Sequence, residues 1–251
     1  MEKIYRLHYR AQLNRDYTEE QLQEAICTCK QNILTLQKEG RVLTAALYRH
    51  EKMLFLYYEA LGEQLEVTEP NTLAEEGVAG MEESGEDIQA TTVHPTEFLA
   101  SLAPYLCVWP GQKQDRLWVH MYHIYYHNIP ESVEGWARAG VPELRRGRIA
   151  FLRDEKLFSY LYYHKAIVDE GLLPGDRYQS IALHENILFS YFEEPKTMVN
   201  VQNKPGEQSK VIADWIAVDP ESHFIHMSEG GGENFMFLPA LFAMGVEDLE
   251  D

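Results

Sequence analysis

The chain has 251 residues, 45% of them apolar and 12% aromatic, enough to bury a core as one large domain or two small ones. Its net charge of −18 excludes a partner held through nucleic-acid phosphates, which needs clustered Lys and Arg, and gives no basis for binding an acidic membrane surface. The three cysteines, Cys27, Cys29 and Cys107, are odd in number and fit a reducing compartment, and no apolar run is long enough to cross a bilayer, so a soluble cytoplasmic protein is expected.

Residues 3–13 alternate and are rich in Tyr and Leu, which predicts a strand. Thr18, with Gln21 three residues on, is the expected N-cap of a helix. Its apolar face is Leu22, Ala25, Ile26, Cys29, Ile33, Leu34 and Leu36, and Gly40 ends it. Residues 42–48 and 53–59 read as a hairpin. Residues 63–94 are acidic, small and polar, and read as a solvated insertion. An amphipathic helix over 95–106 and an aromatic strand over 117–129 complete a β-α-β-β-α-β order, and residues 130–147 read as a linker.

The pattern then restarts. A strand at 148–152 precedes a helix at 154–173 with Asp154 as its cap. A hairpin over 178–183 and 187–192 turns at His184-Glu-Asn, and a helix follows at 210–218. Extended segments at 223–227 and 234–238 flank the Gly-rich run at Gly230. Residues 47–59 align without a gap beneath 181–193: the His-Glu turn, the Leu-Phe pair and the closing Glu fall in register. The expected fold class is α+β, with tandem ferredoxin-like repeats in two units, 1–147 and 148–251. One such sheet has helices on one face only, so the second sheet is expected to pack on its bare face as an intramolecular barrel. The expected state is a monomer acting as a pseudo-dimer, or a weak homo-oligomer.

Four residues of the second unit stand out. Tyr160 and His164 lie four apart on one helix and share a face. Tyr178 opens the next strand, and Trp215 lies on the second helix. An imidazole near its ordinary pKa exchanges protons at neutral pH, a Tyr hydroxyl meets sugar oxygens, and an indole stacks on a sugar ring. Three other histidines, His120, His123 and His127, suggest metal ligands, but a strand turns His120 away from the other two. His223 and His226 likewise fall on opposite faces, and Cys27-Thr-Cys29 reads as helix packing. No metal site is expected.

On Tyr160, His164, Tyr178, Asn186-Ile-Leu-Phe189, Trp215 and Glu233-Asn-Phe-Met-Phe-Leu-Pro239, in that order, residues 148–240 resemble L-rhamnose mutarotase, a small enzyme with a dimeric α/β barrel. The resemblance implies His164 as the acid/base, Tyr160, Tyr178 and Trp215 as sugar-holding residues, a free monosaccharide as partner and no cofactor. Ile216 stands where the family commonly has a second Trp. The first unit places Ala25, Cys29, Thr44 and Tyr105 at the four positions and is expected to be scaffold. The expected activity is therefore anomer exchange of a free sugar. Two other functions stay open: a non-catalytic ligand-binding or scaffold barrel, and a cofactor-free oxygenase or haem-binding protein on the same barrel.

Overall fold

The computed structural model describes residues 2–63, 92–111, 115–171, 175–196, 208–231 and 233–249. Most of the acidic insertion expected at 63–94 lies outside them, as do Pro174 of the expected turn and part of the Gly-rich run.

The fold is α+β with two antiparallel sheets. In chain order it begins with β1 (Glu2–Gln12), α1 (Glu19–Lys38), β2 (Val42–His50) and β3 (Met53–Glu63). Thr18 caps α1 with the reciprocal Gln21 contact that the sequence announces, and Gly40 leaves the helix at φ +72°. The expected helix at 95–106 is a single turn, α2 (Pro95–Phe98), continued as a 3-10 helix (Ala100–Tyr105) that contains Pro104. A proline lacks the N–H that α-helical pairing would use there. The expected long strand is two short ones, β4 (Val119–His120) and β5 (Tyr122–Tyr126).

The segment expected as a linker contains α3 (Val133–Trp136) and the start of β6 (Leu144–Leu152). Then come α4 (Leu157–Glu170), β7 (Ser180–His184), β8 (Ile187–Glu194), α5 (Lys210–Ala217), β9 (Phe224–Ile225), β10 (Met236–Leu238) and β11 (Ala240–Gly245). Asp154 does not cap α4: residues 154–156 form a 3-10 turn, and α4 has no side-chain cap.

The first sheet has the order β11-β2-β3-β1-β4 and the second β10-β6-β8-β7-β5, with β9 also on β6. Met121 alone separates β4 from β5, and Pro239 alone separates β10 from β11. The chain thus passes from one sheet to the other at both edges, so each edge strand of one sheet continues into the other. Neither β11 nor its pairing with β2 is visible in the sequence, because that partner lies about 200 residues away by register of Met244 on Ala45.

Alternation along the strands divides the apolar residues into three layers. Leu22, Ile26 and Ile33 of α1 pack with Leu54, Leu56 and Tyr58 on the outer face of the first sheet. Ala46, Tyr48, Phe55, Tyr57, Phe189 and Tyr191 fill the space between the sheets. Tyr160 and Ile167 of α4 pack with Ala150, Leu152, Ile181 and Leu188 on the outer face of the second sheet, with Trp215 of α5 against them. Each fully buried aromatic or aliphatic side chain contributes about 2 kcal/mol through burial.

Polar groups tie the sheets together at one end. The Tyr57 hydroxyl donates to Glu59 at 2.6 Å and the Tyr191 hydroxyl to Glu193 at 2.7 Å. The Arg138 guanidinium donates to both carboxylates, at 2.6 Å to Glu59 and 2.8 Å to Glu193. Both hairpin turns place a glutamate in the left-handed region, Glu51 at φ 50° and Glu185 at φ 56°.

Candidate functional site

Three of the four residues expected at the site come together, in the layer between the second sheet and its helices. The helical spacing stacks the Tyr160 ring on the His164 ring, with centroids 3.8 Å apart and planes 18° apart. Trp215 stands edge-on to both, at 5.7 Å from Tyr160 and 5.1 Å from His164. Two further residues complete the box: Tyr125, not singled out from the sequence, and His223, weighed there only as a metal ligand. Tyr125 of β5 meets His164 at 5.3 Å, and His223 meets Trp215 at 4.7 Å. His223 also shares a 3.0 Å hydrogen bond with the Ser159 hydroxyl.

The fourth residue does not join them. Asp176 accepts hydrogen bonds from the backbone N–H groups of Tyr178 and Gln179, each at 3.1 Å. The Tyr178 ring packs on Trp136 at 5.2 Å and under the Arg138 guanidinium at 4.2 Å. Its backbone carbonyl accepts from Arg6 at 2.6 Å. Tyr178 therefore belongs to the polar end of the sheets. Sequence spacing places it at the mouth of a strand but carries no information on which neighbours that strand meets.

The state of His164 follows from one contact. Its Nδ1 lies 2.9 Å from the Tyr160 carbonyl oxygen, which only accepts, so Nδ1 carries the proton and Nε2 keeps its lone pair. Burial lowers the pKa to about 4 against the opposing pull of that backbone bond, with His223 lowering it further. Burial likewise pushes the Tyr160 hydroxyl well above its ordinary value. At neutral pH the pair is uncharged. Access is narrow: Tyr160 is 1% and His164 9% exposed. The element over them, α5, has no fully buried residue.

The opposite side of α4 borders an open groove of about 450 Å³, lined by His123, Ile124, Phe158, Leu161, Tyr162 and Lys165. His164 does not line it. The histidines weighed as metal ligands disperse. His123 packs on His8 at 5.1 Å, His120 on Tyr9 at 5.3 Å, and His127 shares a 3.0 Å hydrogen bond with the Tyr125 hydroxyl. His226 lies 3.0 Å from the Glu221 carboxylate, whereas His223 bonds the Ser159 hydroxyl. Among the described residues no group of three His, Cys, Asp or Glu is placed to hold a metal ion. Of the first-unit counterparts, Ala25, Cys29 and Thr44 are buried, and Tyr105 packs on Tyr17.

No family model matches the chain. No curated protein matches it either. Three solved structures are similar to it. One, from Fusobacterium nucleatum, is described provisionally as a monooxygenase; it is 10% identical, over 97% of this chain and 94% of that one, with a TM-score of 0.39. Another, from Lactobacillus acidophilus and described in the same way, is 8% identical over 97% of each chain, with a TM-score of 0.40. The third is a haem-binding protein from Thermus thermophilus, 13% identical over 96% of this chain and 90% of that one, with a TM-score of 0.30.

The expectation of a sugar mutarotase is corrected. The site itself opposes the mechanism. Anomer exchange needs a proton taken from the C1 hydroxyl and one delivered to the ring oxygen. An imidazole whose pKa is lowered to about 4 by burial is a weak base, poorly matched to taking the C1 hydroxyl proton at neutral pH. Tyr178, expected to hold the sugar, points elsewhere.

Proposed function

We propose that the protein is a small-molecule-binding α/β barrel of the oxygenase or haem-binding class, with its site in the layer between α4, α5 and the second sheet. The observation that carries this reading is the Nδ1 contact of His164 with the Tyr160 carbonyl, which leaves Nε2 a permanent lone pair at neutral pH. Such a nitrogen suits coordination or hydrogen-bond acceptance better than proton transfer.

Haem is the group of this class that the donor set fits best. His164 offers an unprotonated nitrogen whose tautomer is fixed by the Tyr160 carbonyl, and the half-buried Arg148 guanidinium has no acidic partner among the described residues to compete with a carboxylate. Bound haem supplies an iron that coordinates imidazole and activates dioxygen. Within the chain, His164 would hold the group, Tyr160 and Trp215 would flank it and exclude water, and α5 would have to move aside to admit it.

The finer architecture belongs to the same reading: two copies of one ferredoxin-like unit, the first without the imidazole, joined as an intramolecular barrel. It is supported by the matching strand orders, the Glu51 and Glu185 turns, and the paired Tyr57–Glu59 and Tyr191–Glu193 bonds.

The test is titration of the protein with haemin, followed at the Soret band, beside the His164→Ala variant. A shifted band that saturates at one equivalent and is lost in the variant supports the reading. A featureless titration favours the second reading, a non-catalytic scaffold, which the low exposure of Tyr160 and His164 supports.

A further inference from the structure

Arg148 and Ser190 face each other across the β6–β8 ladder. Their neighbours Ile149, Phe189 and Tyr191 fill the space between the sheets, whereas Ala150 and Leu188 pack beneath α4. By alternation, both side chains belong to the helix layer, on the face that carries Tyr160 and His164. Both present buried polar atoms, Arg148 Nε and Ser190 Oγ, that have no hydrogen-bond partner among the described residues. Ser190 is fully buried, at 0% exposure.

The other arginines nearby are all neutralised: Arg138 by Glu59 and Glu193, Arg145 by Glu247 and Asp248, Arg146 by Glu194. Arg148 forms no ion pair among the described residues, in a chain with 40 acidic against 22 basic residues. Its guanidinium lies over Phe235 at 4.4 Å and Phe192 at 5.1 Å, and the Lys196 ammonium shares the Phe192 ring at 4.0 Å. Burial lowers the pKa of both cations, and Arg148 lowers that of Lys196 further. A half-buried cation without a counter-charge, its Nε shut off from solvent, is unfavourable, and so is a buried hydroxyl without a partner. One planar oxyanion satisfies both, accepting from the guanidinium and from the hydroxyl. The walls around it are aromatic, and Tyr160 is close enough to Arg148 that each perturbs the other's ionisation.

From this juxtaposition we infer that the helix layer binds an aromatic carboxylate, with its carboxylate on Arg148 and Ser190 and its ring body among Phe192, Phe235 and Tyr160. The inference rests on the reading of that layer as the binding site and adds the chemical class of its ligand.

The experiment compares 1-naphthoate with the neutral 1-naphthamide by calorimetry, on the wild-type protein and on Arg148→Gln and Arg148→Lys. The expected result is that the acid binds about tenfold more tightly than the amide. The preference disappears in Arg148→Gln and survives in Arg148→Lys, which separates loss of charge from loss of fold. Ser190→Ala weakens acid binding by a few-fold and leaves amide binding as it was. Equal affinity for acid and amide overturns the carboxylate inference while leaving the layer as a binding site. Binding of neither compound overturns the inference together with the reading it rests on.

Discussion

Tyr57 and Tyr191 lie face to face between the two sheets, with ring centroids 3.8 Å apart and planes 12° apart. Each hydroxyl bonds a glutamate two residues further along its own strand, and Arg138 spans the two glutamates. The side-chain exposures are 5% for Arg138, 0% for Glu59 and 4% for Glu193, so solvent screens the triad little. Arg138→Ala would strand two carboxylates in one buried site and is expected to cost about 3–5 kcal/mol. Urea unfolding checks the magnitude. Adding Glu59→Gln and Glu193→Gln should recover part of the loss, because the stranded charge goes with them.

The same buried groups set the acid limit of the fold. Burial pushes the Glu59 carboxyl up, but the charge and hydrogen bonds of Arg138 outweigh it and carry the pKa down to about 2. A carboxylate with a depressed pKa gives stability that is present above its unfolded value, near 4.5, and lost as pH falls to about 2. His164 and His120, each lowered to about 4 mainly by burial, work in a higher window. The unfolded chain binds their protons first, so stability is full above about 6.5 and declines as pH falls towards 4, by about 3 kcal/mol for a fully buried ring. Urea midpoints should therefore be flat above pH 7 and fall between pH 6.5 and 4. His164→Phe should flatten part of that decline.

Gly147 is required by close approach and not by its dihedral angles. A Cβ there would stand 2.6 Å from the Tyr48 ring, whose hydroxyl is fixed to the Arg145 carbonyl at 2.9 Å. Gly147→Ala is expected to cost about 2 kcal/mol through overpacking. A second change, Tyr48→Leu, should relieve most of the clash, and thermal melts of the single and double variants check the pair.

Access to His164 depends on α5. Its eight residues, Lys210–Ala217, include none that is fully buried, whereas α4 buries Tyr160, His164 and Ile167. Amide hydrogen exchange is expected to be faster along α5 than in the middle of α4, because fewer buried contacts hold it closed. Equal protection of the two helices would mean that the layer opens only with global unfolding.

Local chemistry was legible and long-range pairing was not. The Thr18–Gln21 capping box and Gly40 read directly, because each is settled within a few residues. The two His-Glu turns were legible as a repeated string. The Tyr160–His164 stack followed from helical spacing, and Trp215 reached it because α5 covers α4. Tyr178 was misplaced because a strand's period says which residues share a face, not what that face meets. Arg138 lay in a segment read as linker, and nothing local marks it as the partner of carboxylates 79 and 55 residues away. Arg148 and Ser190 escaped for the same reason: only the β6–β8 register makes them neighbours.

The most direct test of the account is the state of His164 read by two-bond 1H–15N correlation in protein labelled with 15N-histidine, across a pH series. The expected result is a proton on Nδ1, a bare Nε2 at pH 7 and a titration midpoint near 4. A proton on Nε2, or a midpoint near 6.5, would contradict it and restore to His164 the acid/base character that the structure removes.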